Sequence, residues 1–384
     1  MSSHVAHERA LPSPRVAHGR RTLPSPRVAL ALGLAGFAAA IAMTASGVGE
    51  LWYPYLFAFV LCLGLGLGAE AILLIHRLTG GRWGRCVRRP LEAMTSTVPA
   101  IALFFVPIAL AMDAIYPWLA HGSDEIVDAK VGWLNRDFFL ARAAFYLVIW
   151  SVIAVSLVRA KPSPSDADRR SRPLIVLACA GLIVHVLTVG FAAVDWIASL
   201  EPRWYSSIFG FNVVAAQALG AMALITALAC ASASSLDPLT EEARERLNDL
   251  GNLLLMFVTF DAYLSFVQFF IAWNGNLPNH VVWYVPRMTG FWGAAGVAMI
   301  ALQFAAPLVL LLFRAIKRNP RRLLVVALIV LAGRVIDSAW LVLPGKVRAP
   351  SLDLVVAAAC LLGIGGFFAA VFLWRCRRSL EVAR

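Results

Sequence analysis

The chain has 384 residues, of which 60% are hydrophobic and only 15% are charged, and its mean hydropathy is +0.76. A soluble domain carries roughly 25% charged residues, so a water-soluble fold of this length is excluded. Disordered and collagen-like chains are excluded because they are poor in large aliphatic residues. The long apolar runs are also unlike the short alternating segments of a membrane β-barrel. The composition therefore predicts an all-α polytopic membrane protein.

The chain begins with a polar, basic segment, residues 1–27, in which the heptapeptide LPSPRVA begins twice, at positions 11 and 23. A segment of this composition is typical of a flexible cytoplasmic tail. The membrane-spanning domain is predicted over residues 28–374. A short basic cytoplasmic tail is predicted over residues 375–384.

Ten apolar stretches follow the first tail, each long enough to cross a bilayer as a helix of about 20 residues. They lie near 28–46, 52–76, 93–115, 138–158, 173–196, 209–231, 250–273, 290–313, 322–343 and 353–374. Turn-forming pairs such as Gly80-Gly81 and Asn319-Pro320 separate them. The apolar runs look continuous, so each is predicted to form one unbroken helix.

The basic residues predict the orientation of these helices. With a cytoplasmic N-terminus, 26 of the 34 Lys and Arg residues fall in inward-facing segments and six in outward-facing ones. Cytoplasmic loops carry such an excess of Lys and Arg. Both termini are therefore predicted to be cytoplasmic, in a multi-pass protein of the bacterial inner membrane. The net charge of +12 then reflects contact with membrane lipid and loop asymmetry, and it requires no nucleic-acid partner.

Tryptophan marks the opposite side of the membrane. Nine of the twelve tryptophans fall at predicted outer helix ends or in outer loops: Trp52, Trp118, Trp133, Trp196, Trp204, Trp273, Trp283, Trp292 and Trp340. An interfacial belt alone would divide them more evenly between the two sides. The excess favours an outer face that docks other proteins through aromatic anchors, with a simple belt as the alternative.

Ionisable side chains inside membrane helices are costly and are therefore functional candidates. One interpretation assigns a proton path to a set of protonatable and hydroxyl groups: Glu70, His185, Asp195, Asp261, Ser265 and Asp337. The spacing places His185 and Asp195 on one face of the fifth helix and Asp261 and Ser265 on one face of the seventh. The other interpretation makes Arg142 and Arg334 members of structural ion pairs with acidic neighbours.

The sequence contains no set of Cys or His residues with the spacing that a bound redox cofactor requires. The six cysteines are scattered without metal-ligand spacing. The two membrane-region histidines, His76 and His185, lie at different depths, so they do not form a pair of haem ligands. No catalytic residue, metal site or bound cofactor is predicted in this chain.

Several ordered stretches over about 50–350 carry a family resemblance. They are YPYLFAFVLCLGLGLGAEAILLIHRLTGGRWG (53–84), YPW (116–118), LNRDFFLARAAFYLVIW (134–150), DWIASLEPRWYSSIFG (195–210), DLGNLLLMFVTFDAYLSFVQFFIAWNGNLP (249–278), WY (283–284) and GRVIDSAWLVLP (333–344). The chain resembles the NrfD/polysulfide-reductase-type membrane subunits. Within them it is most similar to the F subunit of alternative complex III, a quinol:cytochrome c or quinol:electron acceptor oxidoreductase.

The resemblance implies two four-helix bundles with flanking helices and a subunit that holds no redox cofactor itself. It implies two kinds of partner: a related quinol-binding membrane subunit, and extracytoplasmic subunits that carry haem c and iron–sulfur clusters. Proton conduction would use the intramembrane residues named above. Binding of a quinone or menaquinone by this chain stays open. A stand-alone proton-coupled secondary transporter and a purely structural membrane anchor are the alternatives.

Overall fold

The computed structural model describes residues 25–81, 83–120, 125–159, 172–234, 239–345 and 350–381. Within these ranges the regular secondary structure is entirely helical. Ten helices there are long and apolar enough to cross a membrane. The predicted all-α polytopic fold is therefore confirmed. The predicted N-terminal tail lies outside the described residues up to position 24, and so do the last three residues of the C-terminal tail.

The membrane-spanning helices are labelled α1 to α10 in chain order. They are α1 Pro26–Ala45, α2 Trp52–Thr79, α3 Trp83–Thr95, α4 Arg136–Arg159, α5 Arg172–Trp196, α6 Phe209–Ala233, α7 Glu241–Gly275, α8 Gly290–Leu312, α9 Pro320–Val342 and α10 Pro350–Glu381. Helix α3 is the first segment of the third span, which covers Val87–Leu110. Shorter helices lie at Val98–Ala102, Phe105–Leu110, Met112–Ile115, Glu125–Asp128, Pro278–Val281 and Arg314–Lys317.

Two four-helix groups make up the core. The helices from α2 to α5 pack together, those from α6 to α9 form the second group, and α1 pairs with α10 on the flank. The seam between the groups is the crossing of α2 and α6, where Gly68 faces the backbone of Gln217. A Cβ at Gly68 would lie 2.0 Å from the Gln217 carbonyl oxygen. Small residues permit this close approach, and the predicted two-bundle architecture is confirmed.

The third span differs from the prediction of one unbroken helix over 93–115. After α3 the helix is interrupted, resumes at Val98–Ala102, and is interrupted again before Phe105–Leu110. The cause is Pro99 and Pro107, because a proline lacks the N–H group that would bond the carbonyl four residues earlier. Beside the second interruption, the Tyr55 hydroxyl of α2 donates to the Phe104 carbonyl oxygen at 2.9 Å, which satisfies that carbonyl and ties the third span to α2.

The eighth span is also irregular. It consists of α-helix over Gly290–Ile300 and Ala306–Leu312, joined by a π-helical turn at Ala301–Ala305. A π-turn inserts one extra residue and re-aims the side chains around it. The unbroken helix predicted for 290–313 is therefore wrong at this turn, and the turn carries Gln303 into the buried interior.

Helix α7 starts earlier than the predicted position 250. Its first residue is Glu241, and the preceding Thr240 accepts a hydrogen bond from the N–H of Ala243. This N-cap and two acidic residues in the first turn stabilise the extension. Glu245 of the extension pairs with Arg314 at 2.9 Å, which neutralises part of the basic inner end.

The outer tryptophans do not form the exposed docking face that their excess favours. Five of the nine are buried: Trp118, Trp196, Trp204, Trp283 and Trp292. Trp204 and Trp283 stack on each other with ring centroids 4.3 Å apart. Trp273 alone among the nine is strongly exposed, at 67%. These rings therefore hold the outer loops to the helices, and the tryptophan count no longer supports docking.

Candidate functional site

The most deeply buried ionisable pair joins the first bundle's α2 and α5. His185 Nδ1 lies 3.0 Å from Glu70 Oε1, and both residues have no exposed surface. Counted at about 1.5 Å per residue, Glu70 is about 14 Å from the inner end of α2, and His185 is about 17 Å from the outer end of α5. The sequence predicts both residues as proton stations without pairing them, and the fold brings them into contact.

Each member of the pair keeps one polar atom without a partner. Glu70 Oε2 and His185 Nε2 are buried and form no hydrogen bond to any described group. A carboxylate oxygen accepts protons, and an imidazole nitrogen either accepts or donates one. The pair therefore has one bond inside and one free site at each end, which is the arrangement that a two-station relay requires.

Asp195, at the outer end of α5, is in the opposite situation. Its Oδ1 accepts from Trp133 Nε1 at 2.9 Å and from Arg142 Nη2 at 2.9 Å. Its Oδ2 accepts from Arg142 Nε at 2.8 Å and from the Tyr146 hydroxyl at 3.1 Å. Because four donors use the lone pairs of both oxygens, no acceptor site remains for a relayed proton. This arrangement favours an anchoring role for Asp195 over the predicted role as a proton station.

Arg142 reinforces this anchor through its aromatic neighbours. Its guanidinium carbon lies 4.1 Å from the Trp133 ring centroid and 4.3 Å from that of Phe138. Cation–π contacts of this kind stabilise a guanidinium away from water. The bidentate bond to Asp195 adds the strongest hydrogen-bonding geometry that an ion pair offers. The acidic neighbour that the sequence leaves unnamed for Arg142 is therefore Asp195, and the pair ties α4 to α5.

A second buried carboxylate lies in the other bundle. Asp261 of α7 is 3% exposed, and its Oδ2 accepts from Gln303 Nε2 at 2.6 Å, while Oδ1 has no partner. Gly333 of α9 lets the π-turn approach, since a Cβ there would lie 3.1 Å from the backbone nitrogen of Gln303. Sequence reasoning missed Gln303 because it considered ionisable and hydroxyl groups and left this amide out, although an amide amid apolar residues is a visible signal.

Arg334 and Asp337, three residues apart on α9, form an ion pair with each other. Arg334 also lines a small cavity at the seam of the two bundles, together with Gly64, Gln217 and Ser338. The cavity measures about 20 Å³, which is room for about one water molecule. Gln217 Oε1 is buried without a partner, so the seam has an unused hydrogen-bond acceptor beside this space.

Ser265 does not join Asp261 in a hydrogen-bonded chain. Its hydroxyl donates to Asn212 Oδ1 of α6 at 3.1 Å. Gln268, one turn further along α7, is buried, and its Oε1 has no hydrogen-bond partner. The polar face predicted on α7 therefore does not form one hydrogen-bonded chain, because Asp261 bonds Gln303 and Ser265 bonds Asn212.

No protein-family model matches the chain, and no curated protein is significantly similar to it. Among the described residues, no group of three or more His, Cys, Asp or Glu side chains is placed to hold a metal ion. The site is therefore defined by its own geometry. It consists of the Glu70–His185 pair in one bundle, the Asp261–Gln303 pair with Arg334–Asp337 in the other, and the seam between them.

Proposed function

We propose that this chain is an integral subunit of a quinol-oxidising respiratory complex in the bacterial inner membrane, of the alternative complex III type. In that complex it conducts protons and anchors extracytoplasmic redox subunits. The observation that carries the proposal is the Glu70–His185 pair, which is fully buried at mid-helix and has one free polar atom on each partner. The family resemblance is the reason for assigning the chain to this complex, and the Glu70–His185 pair is the reason for assigning proton conduction to it.

The relay requires two proton transfers in sequence. A proton arriving at His185 Nε2 gives a doubly protonated imidazole, which then releases its Nδ1 proton to Glu70 Oε1 across the 3.0 Å hydrogen bond. The neutral Glu70 carboxyl rotates and delivers the proton to the next acceptor, and His185 returns to its neutral form. Each transfer therefore returns the pair to its starting charge, but it moves the imidazole proton from Nδ1 to Nε2. The ring rotates to present an N–H to Glu70 again before the next proton is taken up.

Asp261 provides a second buried proton-carrying group. Its Oδ1 is buried without a hydrogen-bond partner, and Gln303 holds Oδ2 in place. The Arg334–Asp337 pair lies within electrostatic range of Asp261. Protonation or deprotonation of Asp261 therefore changes the electrostatic field at this ion pair. The water-sized cavity beside Gln217 and Arg334 lies between the bundles and supports hydration of the seam.

Quinol oxidation itself would take place in the partner subunits, which would hold the haem c and iron–sulfur groups. Charge changes there would shift the proton affinity of buried carboxylates in this chain. Isolation of a tagged chain in mild detergent tests this assignment. Co-purification of c-type haem absorbance and an iron–sulfur signal is the expected result, and a homogeneous single chain without either contradicts it.

A proton-coupled secondary transporter is the second candidate, because the third span is interrupted and α8 contains a π-turn. Interrupted helices line substrate sites in many transporters. Here the third-span interruption is compensated by the Tyr55 hydroxyl and packs against α2. It therefore does not expose backbone to a substrate cavity, and the respiratory subunit remains the preferred function.

A further inference from the structure

A cavity separate from the Glu70–His185 pair lies between the outer ends of α6 and α7. It is formed by the loop before α6, the last turns of α7 and the loop after it. Its volume is about 140 Å³, which accommodates a group about as large as a benzene ring. The proposed proton route does not use this space, although Gln268 on its wall shares a helix with Asp261.

Two buried polar atoms of the cavity residues lack partners. Gln268 is 8% exposed, and its Oε1 forms no hydrogen bond. His280 Nε2 on the opposite loop is likewise buried and unpartnered. A buried polar atom that has lost its water without gaining a hydrogen-bond partner destabilises the fold. A ligand that offers a donor to Gln268 and accepts from His280 removes this destabilisation.

The other wall of the cavity favours negative charge. Ser206 and Ser207 precede the N-terminus of α6, which no side chain caps. A helix N-terminus presents free N–H groups and a partial positive charge. None of the described residues lining the cavity is a carboxylate. An anionic group is therefore favoured and an ammonium group disfavoured.

We propose that this cavity binds the headgroup of an outer-leaflet phospholipid of the phosphatidylglycerol type. The phosphate lies at the α6 N-terminus and accepts from the serine hydroxyls and His280, and a glycerol hydroxyl donates to Gln268 Oε1. The acyl chains leave past Ile271, which is 52% exposed on the membrane face of α7. Such a headgroup has a phosphate that accepts from the serine hydroxyls and His280, and a hydroxyl that donates to Gln268 Oε1. This inference does not rest on the proposed function.

Native mass spectrometry of the full chain in detergent, with added phosphatidylglycerol, phosphatidylethanolamine or phosphatidylcholine of matched acyl chains, tests the site. The wild-type chain is expected to retain phosphatidylglycerol preferentially. Gln268→Leu and His280→Ala are each expected to weaken retention about tenfold, as loss of a hydrogen bond to a polar headgroup does. Asn274→Ala, at an exposed position near the end of α7, is the control and retains the lipid.

Thermal unfolding of the same variants shows whether they are folded, and it allows the ligand source to be identified. Phosphatidylglycerol is expected to raise the melting temperature of the wild-type chain but not that of folded Gln268→Leu. Equal retention of the three lipids, or unchanged retention by both variants, overturns the proposal. An equal rise in melting temperature with inorganic phosphate alone also overturns the proposal, because it assigns the site to a free anion. Displacement of the lipid by a quinol analogue overturns it too, because it assigns the site to a hydroxylated ring.

Discussion

Glu70 and His185 lie 115 positions apart in the chain, yet Glu70 Oε1 and His185 Nδ1 are 3.0 Å apart in a fully buried environment. Each residue also has one buried atom without a partner. This combination distinguishes the pair from the other buried ion pair of the first bundle, Arg142–Asp195, in which the carboxylate oxygens are saturated. The first pair has the capacity to exchange protons, and the second has the geometry of an anchor.

Replacement of His185 by Gln tests the relay in the isolated chain. Gln retains a hydrogen bond to Glu70 but does not take up a proton near neutral pH, so the fold is expected to persist while conduction is lost. Proton flux into liposomes under an imposed potassium diffusion potential is expected to fall about a hundredfold, a typical effect of removing a positioned proton-transfer group. His76→Gln, at the inner end of α2, is the control and conducts as the wild type does.

The Arg142–Asp195 anchor predicts a different result. Arg142→Met leaves a buried carboxylate without its cation and is expected to lower the free energy of unfolding by about 3–5 kcal/mol. The double variant Arg142→Met/Asp195→Leu removes both charges and is expected to be more stable than the single variant. Chemical unfolding in detergent measures both, and a double variant that is less stable than Arg142→Met contradicts the anchor.

Asp195→Asn separates the anchoring role from the proton-station role of Asp195. The variant is expected to lose stability, because an amide offers only one acceptor atom to the four donors. Proton flux through the variants that remain folded is expected to stay within about twofold of the wild-type flux, whereas a residue in an obligatory relay produces far larger losses. A loss of flux comparable with that of His185→Gln restores Asp195 to the route.

The seam between the bundles depends on Gly68. Gly68→Ala places a Cβ 2.0 Å from the Gln217 carbonyl oxygen. The clash is with the backbone of α6, which cannot move aside as the end of a flexible side chain would. Overpacking of this kind costs about 3 kcal/mol or more. Gly275→Ala is the matched control, because nothing lies within 4 Å of a Cβ there. Thermal unfolding of the two variants is expected to differ by several degrees, and equal stability contradicts the close seam.

The interruption of the third span gives a further test. Tyr55→Phe removes the hydroxyl that donates to the Phe104 carbonyl oxygen and leaves that carbonyl without this bond. The expected loss of stability is about 1–3 kcal/mol, the cost of an unsatisfied buried acceptor. Tyr263→Phe, at a position that is 62% exposed on α7, is the control and is expected to be neutral. Equal effects of the two substitutions would mean that the carbonyl has another partner.

The sequence predicts ten spans because apolar runs of membrane length are a strong local signal. It also predicts that His185 and Asp195 share a helix face, and both are buried. It does not show that Glu70 meets His185, because that contact depends on how α2 packs against α5. Pro99 and Pro107 are visible in the sequence and signal the interrupted third span, although hydropathy alone predicts an unbroken helix there.

The site was predicted only in part for a similar reason. A search for ionisable and hydroxyl groups finds Asp261 but passes over the amides of Gln303, beside Asp261, and of Gln217, at the seam. The π-turn that brings Gln303 inward has no local sequence signature comparable with a proline. Arg142 illustrates the remaining limit, since helix periodicity places it in the membrane but does not identify Asp195 as its partner.

The most direct test of the central claim is the number of protons taken up per electron by the purified complex in proteoliposomes during quinol oxidation. With Glu70→Gln, we expect proton uptake through the membrane domain to be lost while electron transfer in the partner subunits continues, so the ratio falls. Glu92→Gln, the same substitution in a carboxylate paired with Arg88 near the inner end of the third span, is expected to leave the ratio unchanged. An unchanged ratio in Glu70→Gln would contradict a proton route through the Glu70–His185 pair.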